Sequence, residues 1–216
     1  MSTNKYIPAL RFKWLTPLYD FFVGLTMPEK KIKQQLIASA KIYAGAKLLD
    51  FGCGTATLTI MAKKAFPEAN VTGVDIDREI LDKATNKIEE EKLNIFLLDY
   101  DGNHLPFQPN AFNRVLSCLV FHHLDTDTKR NMLAELFRVM DKDGVLHIAD
   151  FGRSDSWIQR QLFNMIRWLD GLKSTEANAK GLLPQLISEA GFENVTIKDR
   201  FKTIFGEVQL ISAQKV

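Results

Sequence analysis

Apolar positions along the chain follow two alternating patterns. Short β-branched or leucine-rich runs at Lys47 to Phe51, Asn70 to Val74, Asn94 to Leu98, Arg114 to Leu119 and Val145 to Asp150 read as strands. Between them apolar residues recur at helical spacing, which predicts helices over Ala56 to Ala65, Arg78 to Lys92 and Thr128 to Met140. The last of these has Asp125 to Asp127 as capping candidates and an apolar stripe of Leu133, Leu136, Phe137 and Met140, and Asp143-Gly144 is expected to stop it. Pro184 to Ala190 predicts a final helix closed by Gly191, followed by two strand-like runs, Val195 to Phe201 and Glu207 to Ala213.

Strands that alternate with helices indicate a parallel sheet covered on both faces. The two final runs have no helix between them, so they suit a hairpin, and one of them must run against the rest. The expected fold class is therefore α/β, three-layer and Rossmann-like, with a seven-stranded, mostly parallel sheet whose antiparallel strand comes last. A dinucleotide-binding domain would instead have six parallel strands. Two helical segments, Ile7 to Leu25 and Ser156 to Leu172, fall outside the alternation and are expected to lie as lids above the carboxyl ends of the strands. Residues 1–216 read as one domain, with residues 1–30 and 154–180 as its lid segments.

Composition narrows the partners. With 28 basic and 26 acidic residues the net charge is +2, too balanced for a nucleic-acid surface. No apolar stretch approaches the roughly 20 residues that span a bilayer, and the N-terminus lacks the pattern of a signal peptide, so a cytoplasmic protein without stable membrane insertion is expected. Two cysteines, Cys53 and Cys118, make neither a disulfide framework nor a metal-ligand spacing.

The informative stretch is Leu48-Leu49-Asp50-Phe51-Gly52-Cys53-Gly54, an apolar strand running into an acid and a glycine turn. Twenty-one positions after Gly54 the next strand ends in Asp75. A strand, a tight turn into a helix and a second strand ending in a carboxylate can hold the ribose hydroxyls of an adenine nucleoside. Asp50 selects among such ligands: its carboxylate would repel the pyrophosphate of NAD but attract the ammonium and sulfonium of S-adenosyl-L-methionine, by on the order of 4 kcal/mol at about 4 Å. Thr55, at the start of the next helix, is placed to cap that helix, to meet the cofactor carboxylate beside free backbone N–H groups, or both.

With these residues in place, the chain resembles a class I S-adenosylmethionine-dependent methyltransferase, of the branch that includes the ubiquinone/menaquinone-biosynthesis C-methyltransferases. The matching stretches are LLDFGCGTATLT, VTGVDIDREIL, DYDGNHLPF, AFNRVLSCLVFHHL, LFRVMDKDGVLHIADF and EAGFENV. The resemblance implies that Asp50, Gly52, Cys53, Gly54 and Thr55 surround the amino-acid end of the cofactor, and that Asp75 and Ile76 meet its ribose side. It further implies that Asp101 and Gly102 hold the adenine ring, a part Asp99 would play with the register moved by two. An aspartate can accept a hydrogen bond from the adenine amino group, though the alternative role of a turn former stays open. The chain departs from the family's usual pattern at Asn113, where an acid is common, and at Asp141-Lys142-Asp143-Gly144, where Lys-Pro-Gly-Gly is common.

Cys118, at the end of the fourth strand, is expected to face the cofactor near Cys53. Both thiols also read as small buried apolar groups, with a redox-sensitive pair as the alternative. His122 and His123 follow that strand on the acceptor side, where one could act as a general base or simply shape the pocket. As sequence neighbours they are expected to point apart, which makes a poor metal site, and no metal is expected. Tyr19 either covers the methionine end of the cofactor or packs in its own helix. The aromatic-rich segment Ser156 to Leu172 offers a hydrophobic acceptor pocket or a homodimer contact. The expected function is methyl transfer from S-adenosyl-L-methionine to a small hydrophobic acceptor, quinone-precursor or lipid-like. A non-catalytic S-adenosylmethionine or S-adenosylhomocysteine binder and, less favoured, an NAD-dependent oxidoreductase are the alternatives.

Overall fold

The computed structural model describes residues 28–152, 180–203 and 206–216. Tyr19 and both expected lids, Ile7 to Leu25 and Ser156 to Leu172, lie outside the described residues. In chain order the elements are α1 (Glu29–Ser39), β1 (Lys47–Phe51), α2 (Thr57–Ala65), β2 (Asn70–Asp75), α3 (Arg78–Glu90), β3 (Phe96–Asp99), β4 (Phe112–Cys118), a 3₁₀ turn (Phe121–His123), α4 (Thr126–Val139), β5 (Met140–Phe151), α5 (Leu183–Glu189), β6 (Glu193–Thr203) and β7 (Gly206–Gln214).

The seven strands form one sheet in the order β3-β2-β1-β4-β5-β7-β6. Strands β1 to β5 pair in parallel, and β7 is antiparallel to both of its neighbours. The last strand is thus the reversed one, as the hairpin predicts, and it inserts between β5 and β6. Composition explains the swap. Nearly all of β7 is buried, as a central strand must be, whereas β6 carries Glu193, Lys198, Asp199, Arg200 and Lys202, charges that suit an edge strand and discourage further pairing.

Each face of the sheet buries its own cluster. On one, Leu49, Phe51, Val115 and Ile148 pack with Leu133 and Leu136 of α4 and Leu183 and Leu186 of α5. On the other, Leu48, Leu116, Ala149 and Leu210 pack with Ile32 and Leu36 of α1 and Leu58 of α2. Side chains of this size contribute about 1.5–3 kcal/mol each when fully buried. The chain passes from β1 to β2 on one side and later to β4 on the other, so the crevice where ligands bind such sheets opens at the carboxyl ends of β1 and β4.

Some boundaries move. Helix α1 has no counterpart among the predicted elements, because its apolar residues Ile32, Leu36 and Ile37 make too short a stripe. Helix α4 stops at Val139, before Asp143-Gly144, and Met140 already pairs with Phe112 across a register shift. Asp125 caps α4 by accepting from the Thr128 N–H at 2.8 Å.

Candidate active site

The glycine turn is fixed from both ends. The N–H groups of Gly52 and Cys53 both donate to the Val74 carbonyl at 2.9 Å, carrying the β1 to β2 register past the end of β1. Gly52 has φ +72°, and a Cβ there would lie 2.4 Å from Val120 Cγ2, so only glycine lets this backbone pass beneath the loop after β4. The Gly54 N–H donates to Asp75 Oδ2 at 2.8 Å, and Asp77 N–H donates to Asp75 Oδ1 at 3.1 Å. Asp75 therefore ties the turn to the end of β2, where each of its oxygens keeps a lone pair for a further donor.

Asp50 is buried, pointing into the layer of α1 and α2 instead of the open crevice. Thr59 Oγ1 of α2 donates to its Oδ2 at 2.6 Å. Burial raises its pKa to about 6, against the Thr59 hydrogen bond and the nearby charge of Lys33.

The structure corrects the capping role read for Thr55. The N-cap of α2 is Ala56, in the left-handed conformation at φ 58° and without a side-chain cap, while Thr55 is exposed. Thr57 Oγ1 accepts from Lys87 of α3 at 2.9 Å instead.

Ile76 is 45% exposed, an uncommon state for a large aliphatic side chain beside buried strands. Gly102 lies against it: a Cβ at Gly102 would come 2.9 Å from Ile76 Cδ1. Together they form a flat apolar wall one residue from the two acids that bound it, Asp75 and Asp101. Asp101 Oδ1 accepts from the N–H groups of Asn103 and His104 at 2.8 and 2.7 Å, so it forms a turn. Those two bonds hold its carboxyl below the usual range. Asp99 ends β3 and is exposed, with Arg78 3.8 Å away.

The loop after Asp101 is clamped from α4. Glu135 Oε2 accepts from the Leu105 N–H at 2.8 Å, and Arg138 donates to the carbonyls of Phe107 at 2.7 Å and Leu105 at 2.9 Å. Arg138 also binds both oxygens of Glu135 at 2.8 Å, and its hydrogen bonds are the main reason the Glu135 carboxyl falls to about 2.

The cysteines are packing groups. Cys53 is buried, with its sulfur lying over Gly73 of β2, where a Cβ would sit 2.9 Å from Sγ. Cys118 faces the α1 and α2 layer. Burial pushes the Cys53 thiol far up and the Cys118 thiol up to about 12, so neither supplies the thiolate that a redox-sensitive pair needs.

On the acceptor side the two histidines behave differently. His122 is buried and its Nδ1 lies 3.0 Å from Asp150 Oδ1, whereas His123 is exposed. The expectation that they point apart is corrected: their ring centroids are 3.9 Å apart, because they follow each other on a 3₁₀ turn and not on a strand. Asp150 is fully buried at the end of β5, and its Oδ2 accepts from the N–H groups of Val120 at 3.0 Å and Phe121 at 2.7 Å. Burial pushes its carboxyl up, but His122, by charge and hydrogen bond, and the Phe151 N–H bring it below the usual range. Lys129 of α4 is fully buried beside this turn, donating to the Leu124 carbonyl, and burial lowers its pKa to about 8. Among the described residues no cluster of histidine, cysteine and acidic side chains could hold a metal ion, and no helix is long and apolar enough to cross a membrane.

Sequence reasoning missed Thr59, Glu135, Arg138, Lys129 and Asp150 as site residues. Asp150 alone carried a signal, since it ends its strand in an acid as Asp75 does.

Comparisons with known proteins agree with this geometry. The methyltransferase domain family matches residues 48–144. The fold is similar to that of a SAM-dependent methyltransferase from Aquifex aeolicus, at TM-score 0.66 and 18% identity over 91% of this chain and 98% of that one. It is also similar to magnesium protoporphyrin IX methyltransferase from Synechocystis with bound SAH, at TM-score 0.67 and 20% identity over 92% of this chain and 86% of that one. Residues 48–144 thus match the methyltransferase domain family, and the fold is that of S-adenosylmethionine-dependent methyltransferases. Within it, the chain is 33% identical over 144 residues to the demethylmenaquinone methyltransferase of Lactobacillus johnsonii. That alignment covers 64% of this chain and 58% of the relative, so the chain spans less than two thirds of that protein's length.

Proposed function

We infer that this protein transfers a methyl group from S-adenosyl-L-methionine to a small hydrophobic acceptor of the quinone-precursor or lipid-like kind. The observation that carries the cofactor half is the turn tied to Asp75 beside the Ile76 and Gly102 wall. Asp75 would accept from the ribose hydroxyls, the wall would take the adenine face, and Gly52 to Gly54 with the uncapped start of α2 would receive the amino-acid end. The bound cofactor supplies an electrophilic methyl on a sulfonium, so in-line approach of a nucleophile provides most of the rate.

The acceptor half is supported by the name of the Lactobacillus relative and by the surroundings of His122, where Phe151 packs edge-on against the ring. Labelled methyl transfer from S-adenosylmethionine to a panel of hydroquinone, catechol and amine acceptors tests it. Label should enter a hydroquinone. Cofactor binding without transfer to any acceptor would favour the non-catalytic binder instead.

A further inference from the structure

His122 and Asp150 form a pair whose chemistry goes beyond shaping a pocket. Asp150 is only an acceptor when ionised, so the 3.0 Å contact places a proton on His122 Nδ1. In the neutral ring Nε2 then keeps its lone pair. Among the described residues Ser117 Oγ is the only buried side-chain polar atom without a partner, so Nε2, which has no hydrogen bond, reaches the surface at the carboxyl edge of the sheet. Phe151 packs edge-on against the ring at 5.1 Å and fixes its plane. Asp150 is itself immobilised by backbone N–H groups from three residues. A carboxylate that is held in place, a ring oriented by it and a free outer nitrogen are the parts of an oriented general base. Among the described residues His123 has no such carboxylate partner, so the structure distinguishes two residues that the sequence could not.

We propose that Asp150 is the positioning residue for His122, and that His122 Nε2 removes the hydroxyl proton of a phenolic or hydroquinone acceptor during methyl transfer. Nε2 takes the hydroxyl proton, the charge left on oxygen spreads into the ring, and a ring carbon bonds to the methyl as the sulfur–methyl bond breaks with its electron pair left on sulfur. The hydrogen displaced from the methylated carbon returns to the oxygen, and the imidazolium releases its proton to solvent. Among the described residues the titratable groups beside this ring are Asp150 of β5, Lys129 of α4 and His123 on the same turn, the last held neutral by His122 and by desolvation. The proposal rests on the methyltransferase reading above for its reaction but not for its geometry.

Two measurements test these parts separately. Nitrogen-15 histidine spectra of the full chain with S-adenosylhomocysteine need no acceptor. They should show the Nδ1–H tautomer for His122, lost in Asp150→Asn; the Nε2–H tautomer in the unsubstituted protein would overturn the pairing. Turnover of a 2-alkyl-1,4-naphthohydroquinone against pH is the second. His122→Asn, which keeps a donor for Asp150, should lower kcat by about 100-fold or more while the affinity for S-adenosylhomocysteine stays within about threefold. Asp150→Asn should move the acidic limb of the profile to lower pH, since the imidazolium loses its counter-charge. Unchanged kcat in His122→Asn, or an unmoved limb in Asp150→Asn, would overturn the proposal. No turnover by the unsubstituted protein would sink the acceptor reading alone, leaving the tautomer result to decide the pair.

Discussion

At the residue scale, Asp50 is the acid that the sequence singles out for the positive charge of the cofactor. The letter is an acid beside a glycine turn, as expected, but its carboxylate is buried against Thr59 with its pKa near 6. A pKa raised above the unfolded value of 3.8 means that the folded chain holds this proton more tightly, so the stabilisation is present below 3.8 and is lost as pH rises through about 6. A cationic ligand prefers the ionised form, so its affinity has the opposite trend. S-adenosylmethionine should bind about tenfold more weakly at pH 5 than at pH 7.5, one pH unit of protonation being tenfold, and Asp50→Asn should remove that difference. Calorimetry at the two pH values checks it; an equal slope in the variant would assign the dependence to another group. Asp75 is singled out by spacing alone, and its bond to the Gly54 N–H could not be read from that spacing. Asp75→Ala should therefore cost both ligand contacts and turn geometry, weakening S-adenosylhomocysteine by about 2–3 kcal/mol, as hydrogen bonds to a charged group do. Affinity unchanged within twofold would remove Asp75 from the site.

Among elements, hydrophobic patterning located every described strand, and the two-sided cover of the sheet follows from the apolar runs in β1 to β5. It missed α1, whose apolar stripe is too brief, and it could not see the clamp from α4. Glu135 and Arg138 are three residues apart on one helix, an ordinary ion-pair spacing, and nothing local announces that both reach a loop some thirty positions earlier. Those bonds hold the segment that carries Gly102 against Ile76. Glu135→Gln should speed hydrogen exchange at the Leu105 amide and weaken S-adenosylhomocysteine severalfold with the sheet intact, readable by exchange and calorimetry on one sample. Exchange at Leu105 as slow as before would show that the loop holds itself.

For the whole molecule, composition and topology were legible to the level of fold, including the reversed last strand, because charge on β6 and burial on β7 are written in the residues themselves. Long-range titration was not. His147 is buried on β5, 3.2 Å from Ser39 Oγ of α1, and burial, with Arg114 and Lys198, lowers its pKa to about 4. A lowered imidazole pKa means that the unfolded chain takes a proton the folded one refuses. Stability should therefore fall as pH drops from about 6.5 towards 4, by about 2 kcal/mol at pH 5 from this group. Urea unfolding of His147→Gln should show a flatter slope between pH 7 and 5 than the unsubstituted protein; parallel slopes would show that this ring accepts its proton without cost.

The most direct measurement is calorimetric titration of the full chain with S-adenosylmethionine, S-adenosylhomocysteine and NAD, each also against Asp75→Ala. Micromolar binding of the first two, lost in the variant, with no binding of NAD, is the expected result. Binding of NAD alone would contradict the assignment of the turn, and with it methyl transfer.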